Sequence, residues 1–206
     1  MPDERTVHII EDDPAVRESL ALLLKGDSLP VRLYASAPEF LEKNPEPKGC
    51  VVSDIVMPGM TGLELLEEMK SRRVLLPTIL MTAYADVPQA VKAMKLGAVD
   101  FIEKPFDDEL IVSLVRSALA RRGDWRVGDA EALAAREKLG GLSVRERDVL
   151  AGLLKGKLNK TIAFELGISV RTVETHRANL MAKAEVASLS ELVRMSLLAE
   201  SAPAAS

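Results

Sequence analysis

Residues 50–71 read CVVSDIVMPGMTGLELLEEMKS. The apolar, largely β-branched start of this stretch predicts a buried strand over 50–53, and Asp54 follows it directly. Thr61 and Glu64 have the spacing of a capping box, which predicts the start of a helix over 62–71. The stretch is therefore predicted to be one strand-turn-helix unit of a parallel sheet.

The same rhythm repeats through residues 1–121. Short apolar runs predict strands near 6–10, 31–34, 50–53, 78–81 and 99–102. Helical patterns between them predict helices near 14–25, 37–44, 62–71, 87–95 and 107–121. Five strands joined by helices predict an α/β domain with a doubly wound five-stranded parallel sheet covered on both faces. In such sheets, ligands bind beyond the carboxyl ends of the strands.

Beyond residue 121 the pattern changes. Residues 122–139 predict a linker of helix-forming composition, and residues 140–200 predict a separate all-α domain of four short helices. The predicted helix caps are Ser143, Asn159, Ser169 and Ser188. Gly167, between the second and third helices, predicts the tight turn of a helix-turn-helix. Residues 201–206 are expected to form a disordered tail.

Composition limits the possible functions. The chain has 206 residues, of which 48% are hydrophobic and 28% charged, and this balance predicts folded domains. The first residues, MPDERTVHIIED, show no basic segment followed by a long apolar stretch, and no apolar window is long enough to span a bilayer, so we expect a cytoplasmic protein with no membrane partner. Cys50 is the only cysteine, which excludes disulfides and cysteine-based zinc sites. The two histidines, His8 and His176, are too far apart in the sequence to favour a histidine metal site.

The net charge of −4 is unevenly distributed. Residues 1–120 contain 13 basic and 20 acidic residues, whereas residues 140–206 contain 9 basic and 7 acidic residues. This asymmetry indicates different roles for the two parts. The small basic excess of the second part does not by itself predict nucleic-acid binding.

Acidic residues follow two of the predicted strands. Glu11, Asp12 and Asp13 come after the first strand, and Asp54 after the third. Because these strands are adjacent in a doubly wound sheet, the carboxylates should lie close together and repel one another. Mg²⁺ is a cation that neutralises such a cluster. Asp13, which precedes Pro14, is explained equally well as a helix cap.

Other chemistry-bearing residues follow the last two strands. Thr82 comes after the fourth strand, and Lys104 with Pro105 after the fifth. Carboxylates, a metal ion, a hydroxyl and an ammonium around one point are what a phosphoryl-transfer site requires, with Asp54 as the candidate nucleophile. The alternative interpretation is that these residues are ordinary solvated loop residues and helix caps.

Four runs of the sequence together resemble the receiver domain of two-component response regulators. They are Glu11-Asp12-Asp13, residues 53–62 (SDIVMPGMTG), Met81-Thr82-Ala83 and residues 101–106 (FIEKPF). The resemblance implies that Asp54 accepts a phosphoryl group from a cognate sensor histidine kinase. It also implies that the chain catalyses only its own Mg²⁺-dependent phosphorylation and dephosphorylation, and is otherwise not an enzyme.

The resemblance also implies roles for the surrounding residues. Mg²⁺ would be held by Glu11, Asp12, Asp54 and the backbone carbonyl of Val56. Thr82 would bond the phosphoryl oxygen, Lys104 would pair with it, and the Lys104–Pro105 peptide bond would be cis. Phe101 would be an aromatic switch residue, although core packing explains an aromatic residue in a strand equally well.

Residues 140–199 resemble the LuxR-type DNA-binding domain, and residues 171–179 (RTVETHRAN) match its recognition helix. The whole chain is similar to the NarL/FixJ family of response regulators, and it resembles the FixJ-like members more than the NarL-like ones. This resemblance implies a transcription factor in which phosphorylation promotes homodimerisation and sequence-specific binding to double-stranded DNA, with RNA polymerase as a further candidate partner. Dimer contacts would lie at Val91, Met94 and Lys95.

A helical projection of residues 170–184 divides the recognition helix into two faces. The core-facing stripe is Val170, Val173, Leu180, Met181 and Ala184. The opposite face carries Arg171, Thr175 and Asn179, which we expect to reach base edges. Lys160, Thr161 and Lys183 are expected to contact phosphates. Thr172, His176 and Arg177 complete the candidate DNA contacts, but a structural salt bridge explains Arg177 equally well and His176 is similarly ambiguous.

Two other functional classes remain open at this point. A phosphatase-type enzyme would use the same acidic cluster on external substrates, but the sequence has no cap-sized insertion between the strands. A signalling adaptor would bind protein through the C-terminal helices, and it would show no affinity for DNA.

Overall fold

The structure is a computed structural model that describes residues 5–44, 47–83, 87–120 and 129–201. Its contacts divide the chain into two units. The first consists of residues 1–85 and 96–123, and the second of residues 86–95 and 124–206. No helix in the described part of the chain combines the length and the apolar character needed to cross a bilayer.

A five-stranded parallel sheet forms the centre of the first unit. Its strands are β1 (Val7–Ile10), β2 (Val31–Tyr34), β3 (Cys50–Asp54), β4 (Thr78–Thr82) and β5 (Asp100–Glu103). They are arranged in the order β2-β1-β3-β4-β5, and every neighbouring pair is parallel. The predicted doubly wound sheet is confirmed, and β1 and β3 are neighbours as expected.

Five helices alternate with these strands along the chain: α1 (Pro14–Gly26), α2 (Ala37–Lys43), α3 (Gly62–Ser71), α4 (Val87–Leu96) and α5 (Asp108–Ala120). The predicted capping box at the start of α3 is confirmed, because the Glu64 amide donates to Thr61 Oγ1 and the Thr61 amide donates to Glu64 Oε2. Residues 86–95, which contain most of α4, belong by their contacts to the second unit.

The three central strands β1, β3 and β4 are buried on both faces, as expected in an all-parallel sheet, whereas the edge strands β2 and β5 are partly exposed. On one face, Ile9 and Val52 belong to a cluster that includes residues of α1 and α5. On the other face, Ile10 and Val51 pack in a cluster that includes residues of α2 and α3. Successive residues of a central strand thus pack in opposite layers, which explains why β1, β3 and β4 are largely apolar rather than alternating.

Among the described residues, the second unit contains five helices besides the α4 residues. They are α6 (Asp129–Gly140), α7 (Val144–Leu154), α8 (Asn159–Leu166), α9 (Val170–Ala184) and α10 (Leu189–Ser201). The last four correspond to the predicted all-α domain and share one apolar cluster that includes Val149, Ile162, Val173 and Leu192. Helix α6 lies within the predicted linker and packs against α10 and α9.

The predicted caps Ser143, Ser169 and Ser188 are confirmed, since each hydroxyl accepts an amide from the residue three positions later. The predicted cap at Asn159 is wrong. The Thr161 and Ile162 amides both donate to the Leu158 carbonyl, so the N-cap residue of α8 is Leu158, and Asn159 is the first residue of the helix. Asn159 Oδ1 is consequently buried without a hydrogen-bond partner.

Part of the predicted linker and tail lies outside the described residues. This applies to residues 121–128 of the linker region and to all of the predicted tail except Ser201, which is the last residue of α10.

Candidate functional site

The acidic residues after β1 and β3 meet at the carboxyl edge of the sheet. Strand pairing places Ile10 beside Ser53, so the residues that follow both strands emerge together. Ligand oxygens of Glu11, Asp12 and Asp54 lie within 4.8 Å of one another. Glu11 and Asp54 are buried, whereas Asp12 is exposed. The structure therefore brings together the three carboxylates that the sequence predicted as a group.

Lys104 completes this cluster from the end of β5. Its ammonium nitrogen lies 2.6 Å from Glu11 Oε2 and 2.9 Å from Asp54 Oδ1. Burial raises the pKa of Glu11, with the Asp54 charge adding to the rise, while the hydrogen bond from Lys104 opposes it. Burial alone would lower the pKa of Lys104, but its bonds to Glu11 and Asp54 outweigh that effect and raise it. One ammonium thus compensates two carboxylates in a half-buried site.

The loop after Asp54 depends on a glycine at the start of α3. The Gly62 amide donates to the Ile55 carbonyl, and a Cβ on Gly62 would collide with the Asp54 carbonyl oxygen. Only glycine allows the helix to approach the strand end so closely. Val56 lies in this loop with its side chain mostly exposed.

The other predicted phosphoryl-site residues lie at the ends of β4 and β5. Thr82 is fully buried at the end of β4, and its carbonyl accepts the Lys104 amide at 2.7 Å. Phe101 is half-buried in β5, beside Leu80 of β4. The peptide bond between Lys104 and Pro105 is cis, as the resemblance implies.

The donor set at this edge fits a hard divalent cation. Three carboxylates supply oxygen ligands of the kind that Mg²⁺ takes, and the carbonyl of Val56 follows in the adjacent loop. A cation also offsets the cost of holding Glu11 and Asp54 charged while buried. Asp13 is not one of these donors: its Oδ1 accepts the Ala15 and Val16 amides and so caps α1.

Arg17 is a site residue that the sequence analysis missed. Its guanidinium Nη1 lies 2.6 Å from the Glu11 carbonyl oxygen and 3.3 Å from that of Asp12. A signal was available, because a cation near the start of a helix opposes the helix dipole and needs a local reason. Arg17 is the only basic residue in the first half of α1.

The second candidate site is the helix-turn-helix formed by α8 and α9. Gly167 ends α8 in the left-handed conformation, with a φ of 65°, as a tight turn between helices requires. Arg171, Thr175 and Asn179 are exposed on α9, as expected for residues that reach bases. Val170 is 40% exposed, so its predicted place in the core stripe is wrong. Val170 is the first residue of α9, and the buried residues of this helix begin one turn later, at Val173.

The remaining predicted DNA contacts differ in their surroundings. Lys160 and Thr161 are exposed in the first turn of α8. The hydroxyl of Thr172 lies 2.8 Å from that of Ser169, which also caps α9. His176 and Arg177 are half-buried, and the described residues provide no salt bridge for Arg177.

Lys183 is engaged within the protein. Its ammonium lies 2.8 Å from Glu146 Oε2, and Glu146 is buried at the start of α7. This bond and the hydrogen bonds from Ser143 lower the pKa of Glu146 to about 2. Close by in sequence, Glu185 pairs with Lys138 of α6 at 2.6 Å. Sequence reasoning missed both ion pairs because their partners are 37 and 47 residues apart.

The three predicted dimer contacts lie on α4. Val91 and Met94 are 3% and 4% exposed, and the Lys95 ammonium donates to the Leu154 carbonyl at 2.8 Å. Val91 and Met94 are therefore covered, whereas Lys95 is exposed and has its ammonium bonded.

Comparison with known proteins assigns both parts of the chain. Residues 7–116 match the response regulator receiver domain, and residues 141–196 match the luxR family of bacterial regulatory proteins. Among curated relatives, the transcriptional regulatory protein FixJ of Azorhizobium caulinodans is 53% identical, with 99% of this chain and 97% of the relative covered. The response regulator protein TodT of Pseudomonas putida is 40% identical, with 92% and 84% covered.

Solved structures agree with this assignment. Full-length FixJ from B. japonicum shares 45% identity with a TM-score of 0.56, covering 95% of this chain and 97% of that one. The similarity extends over both matched regions and is not confined to the sheet.

Proposed function

Because this chain belongs to the response regulators and is a transcription factor of the FixJ/LuxR type, we propose that phosphorylation of Asp54 controls its dimerisation and its binding to specific DNA. The observation that carries the proposal is the contact of the Lys104 ammonium with both Glu11 and Asp54 at the carboxyl edge of the sheet. A receiver domain over residues 1–121 would hold this site, and residues 140–200 would bind DNA.

Asp54 is the nucleophile in this proposal. One of its carboxylate oxygens attacks the phosphorus of a phosphohistidine on a cognate sensor kinase, so an O–P bond forms, the N–P bond breaks and the histidine leaves. Lys104, which already lies 2.9 Å from Asp54, neutralises charge on the phosphoryl group. Mg²⁺, held by Glu11, Asp12, Asp54 and the Val56 carbonyl, would neutralise further charge. In dephosphorylation, water would attack the same phosphorus, the O–P bond to Asp54 would break, and inorganic phosphate would leave with the carboxylate restored.

The signal then passes from Asp54 to β4 and β5. The phosphoryl group adds about −1.5 to −2 of charge at pH 7. Thr82, buried at the end of β4, would bond a phosphoryl oxygen, and Phe101, half-buried in β5, would turn inward as Thr82 moves. Pro105, directly after Lys104, would help to fix the backbone of the loop that carries the ammonium.

The proposed output is a dimer that uses α4. Val91, Met94 and Lys95 would contact the second copy, and because they are covered or bonded in this structure, activation must change what α4 presents. Two copies then bind adjacent half-sites, which multiplies the weak affinity of a single domain with little net positive charge. RNA polymerase is a further candidate partner of the DNA-bound form.

In the DNA complex, α9 would enter the major groove. The proposed base contacts are Arg171, Thr175 and Asn179, with Thr172, His176 and Arg177 beside them. Lys160 and Thr161 would bind phosphates from the start of α8. Lys183 would reach a phosphate only by sharing its ammonium with Glu146.

The first test is intact-mass spectrometry after incubation with Mg²⁺ and acetyl phosphate. We expect one phosphoryl adduct on the wild-type chain and none on Asp54→Asn. Asp13→Asn is the matched control, since asparagine also caps helices and Asp13 is directed at α1; it should retain the adduct. A folded wild-type protein without an adduct, or an adduct that survives Asp54→Asn, contradicts the proposal.

A second test separates the transcription factor from the phosphatase and the adaptor. A duplex selected from a random pool by the phosphorylated protein should be bound more tightly after phosphorylation, and less tightly as salt is raised. An adaptor would show no affinity for DNA in this assay. A phosphatase would turn over a phosphate monoester such as p-nitrophenyl phosphate through many cycles.

A further inference from the structure

All three carbonyl oxygens of the acidic run after β1 accept hydrogen bonds from one residue. The guanidinium Nη1 of Arg17 donates to the Glu11 and Asp12 carbonyls, and the backbone amide of Arg17 donates to the Asp13 carbonyl at 3.0 Å. The run leading from strand to helix is thus bonded to a single position on α1.

These bonds fix the orientation of the peptide groups that carry two of the predicted metal ligands. At its other end, the run is held by the Glu11 amide, which donates to the Tyr34 carbonyl of β2. Asp13 is held by its capping bonds to α1. Between these points, the Asp12 carbonyl has only the guanidinium of Arg17 as its partner among the hydrogen bonds of the described residues. Asp12 is also the exposed member of the acidic cluster.

The guanidinium suits this task better than other donors. Its Nη1 carries two N–H groups fixed in the guanidinium plane, so this one nitrogen can donate to two neighbouring carbonyls with little loss of freedom. Its charge also strengthens each bond. Near the positive end of α1 this cation is in an unfavourable field, and the two carbonyl bonds offset that cost.

We propose that Arg17 is a positioning residue for Mg²⁺ binding, which holds the peptides of Glu11 and Asp12 so that their carboxylates face Asp54. The hydrogen bonds of Arg17 go to backbone carbonyls, so in this proposal it acts through the two ligands rather than as a ligand itself. The proposal rests on the proposed function, since it assigns this cluster to Mg²⁺.

The experiment measures Mg²⁺ binding directly, by calorimetric titration without any phosphodonor. Groups that support metal ligands typically change metal affinity by 10- to 100-fold when they are removed, so we expect Arg17→Ala to weaken Mg²⁺ binding by about tenfold or more. Arg116→Ala is the matched control. Arg116 also makes two hydrogen bonds, to both oxygens of Asp27, but it contacts no residue of the acidic run.

A kinetic readout separates positioning from general damage to the fold. With acetyl phosphate, Arg17→Ala should need a higher Mg²⁺ concentration for half-maximal phosphorylation but should approach the wild-type rate at saturating Mg²⁺. Arg17→Lys, which keeps a cationic donor without the planar fork, should fall between the alanine variant and the wild type. If Arg17→Ala does not fold, the lysine variant and Arg17→Gln, which keeps a neutral N–H donor, carry the test.

The outcomes are distinguishable. Equal Mg²⁺ affinity in the wild-type protein and the Arg17 variants overturns the positioning role, and so does an equal loss in Arg116→Ala. If the wild-type protein itself neither binds Mg²⁺ nor forms an adduct, the proposed function fails along with the positioning role.

Discussion

Lys104 is the residue on which the electrostatics of the acidic cluster depend. Its ammonium bonds both Glu11 and Asp54, and its side chain is only 19% exposed. Removing one partner of a buried ion pair leaves an uncompensated charge, which commonly costs several kcal/mol. The structure thus predicts a cluster that is stable only while a cation of some kind lies between the carboxylates.

We therefore expect Lys104→Ala to lower the free energy of unfolding by about 3 kcal/mol in the absence of divalent cations. Mg²⁺ should restore more stability to this variant than it adds to the wild type, because the ion replaces the missing ammonium. Urea denaturation with and without Mg²⁺ measures both effects. Lys43→Ala is the control: Lys43 pairs with Glu39 on an exposed surface, and its loss should matter little. Equal responses of the two variants to Mg²⁺ would contradict the prediction.

His8 gives the first unit a dependence on pH. Burial lowers the pKa of His8, with the charge of Arg32 adding to the fall and the hydrogen bond to the Lys48 carbonyl opposing it. The folded state therefore favours the neutral ring, and the unfolded chain binds its proton at a higher pH. The stability that His8 confers is complete above its ordinary pKa of about 6.5 and is lost as the pH falls below it.

The prediction for His8 is a change of slope. Between pH 5 and 7, the free energy of unfolding of the wild type should rise with pH by up to about 1.4 kcal/mol per unit from this group. His8→Gln should show a smaller slope over the same range. Glu11, whose raised pKa acts in the opposite sense, contributes equally to both proteins. Parallel curves for the two proteins would exclude His8 as the source.

At the level of elements, the sheet and its helices were predictable because each strand and cap is encoded locally. The order of β1 and β3, and hence the meeting of Glu11 with Asp54, followed from the rules of parallel sheets. The pairing of Lys183 with Glu146 was not predictable, because it depends on how the helices are finally oriented. For Arg17, the sequence offered only its unusual place near the start of α1, and its carbonyl partners depend on the conformation of the loop. The Asn159 cap failed for a local reason, since Leu158 supplies the first helical carbonyl.

Helix α9 is tied near its end by two ion pairs, Lys183 with Glu146 and Glu185 with Lys138. A lysine whose ammonium is already paired within the protein displaces few counterions from DNA. Its removal should therefore change the salt dependence of DNA binding only slightly. We therefore expect Lys160→Ala to reduce the slope of log affinity against log salt by about 1, as for a phosphate contact. Lys183→Ala should reduce it by less, while weakening the fold of the second unit. DNA titrations at several salt concentrations measure both slopes. If Lys183→Ala also lowers the slope by a full unit, Lys183 contacts a phosphate and the prediction is wrong.

At the level of the whole molecule, the proposed function requires that phosphorylation on one unit alter DNA binding by the other. To move a two-state equilibrium from 1:99 to 99:1, phosphorylation must favour the active state by roughly 5.5 kcal/mol. A new contact between two copies raises the affinity for DNA when both copies engage the same duplex, because the second binding event then becomes intramolecular. The coupling should therefore depend on the DNA as well as on Asp54.

This dependence gives a geometric prediction. If two copies bind adjacent half-sites through α9, the half-sites must face the same side of the duplex, about 10 base pairs apart or a multiple of that distance. In the selected operator, inserting 5 base pairs between the half-sites should abolish most of the gain in affinity that phosphorylation brings, because one half-site then faces the opposite side. Inserting 10 base pairs should restore part of the gain. Unphosphorylated protein should distinguish the three duplexes far less. If phosphorylated protein binds all three equally, each copy acts alone, and dimerisation is not the means by which Asp54 controls DNA binding.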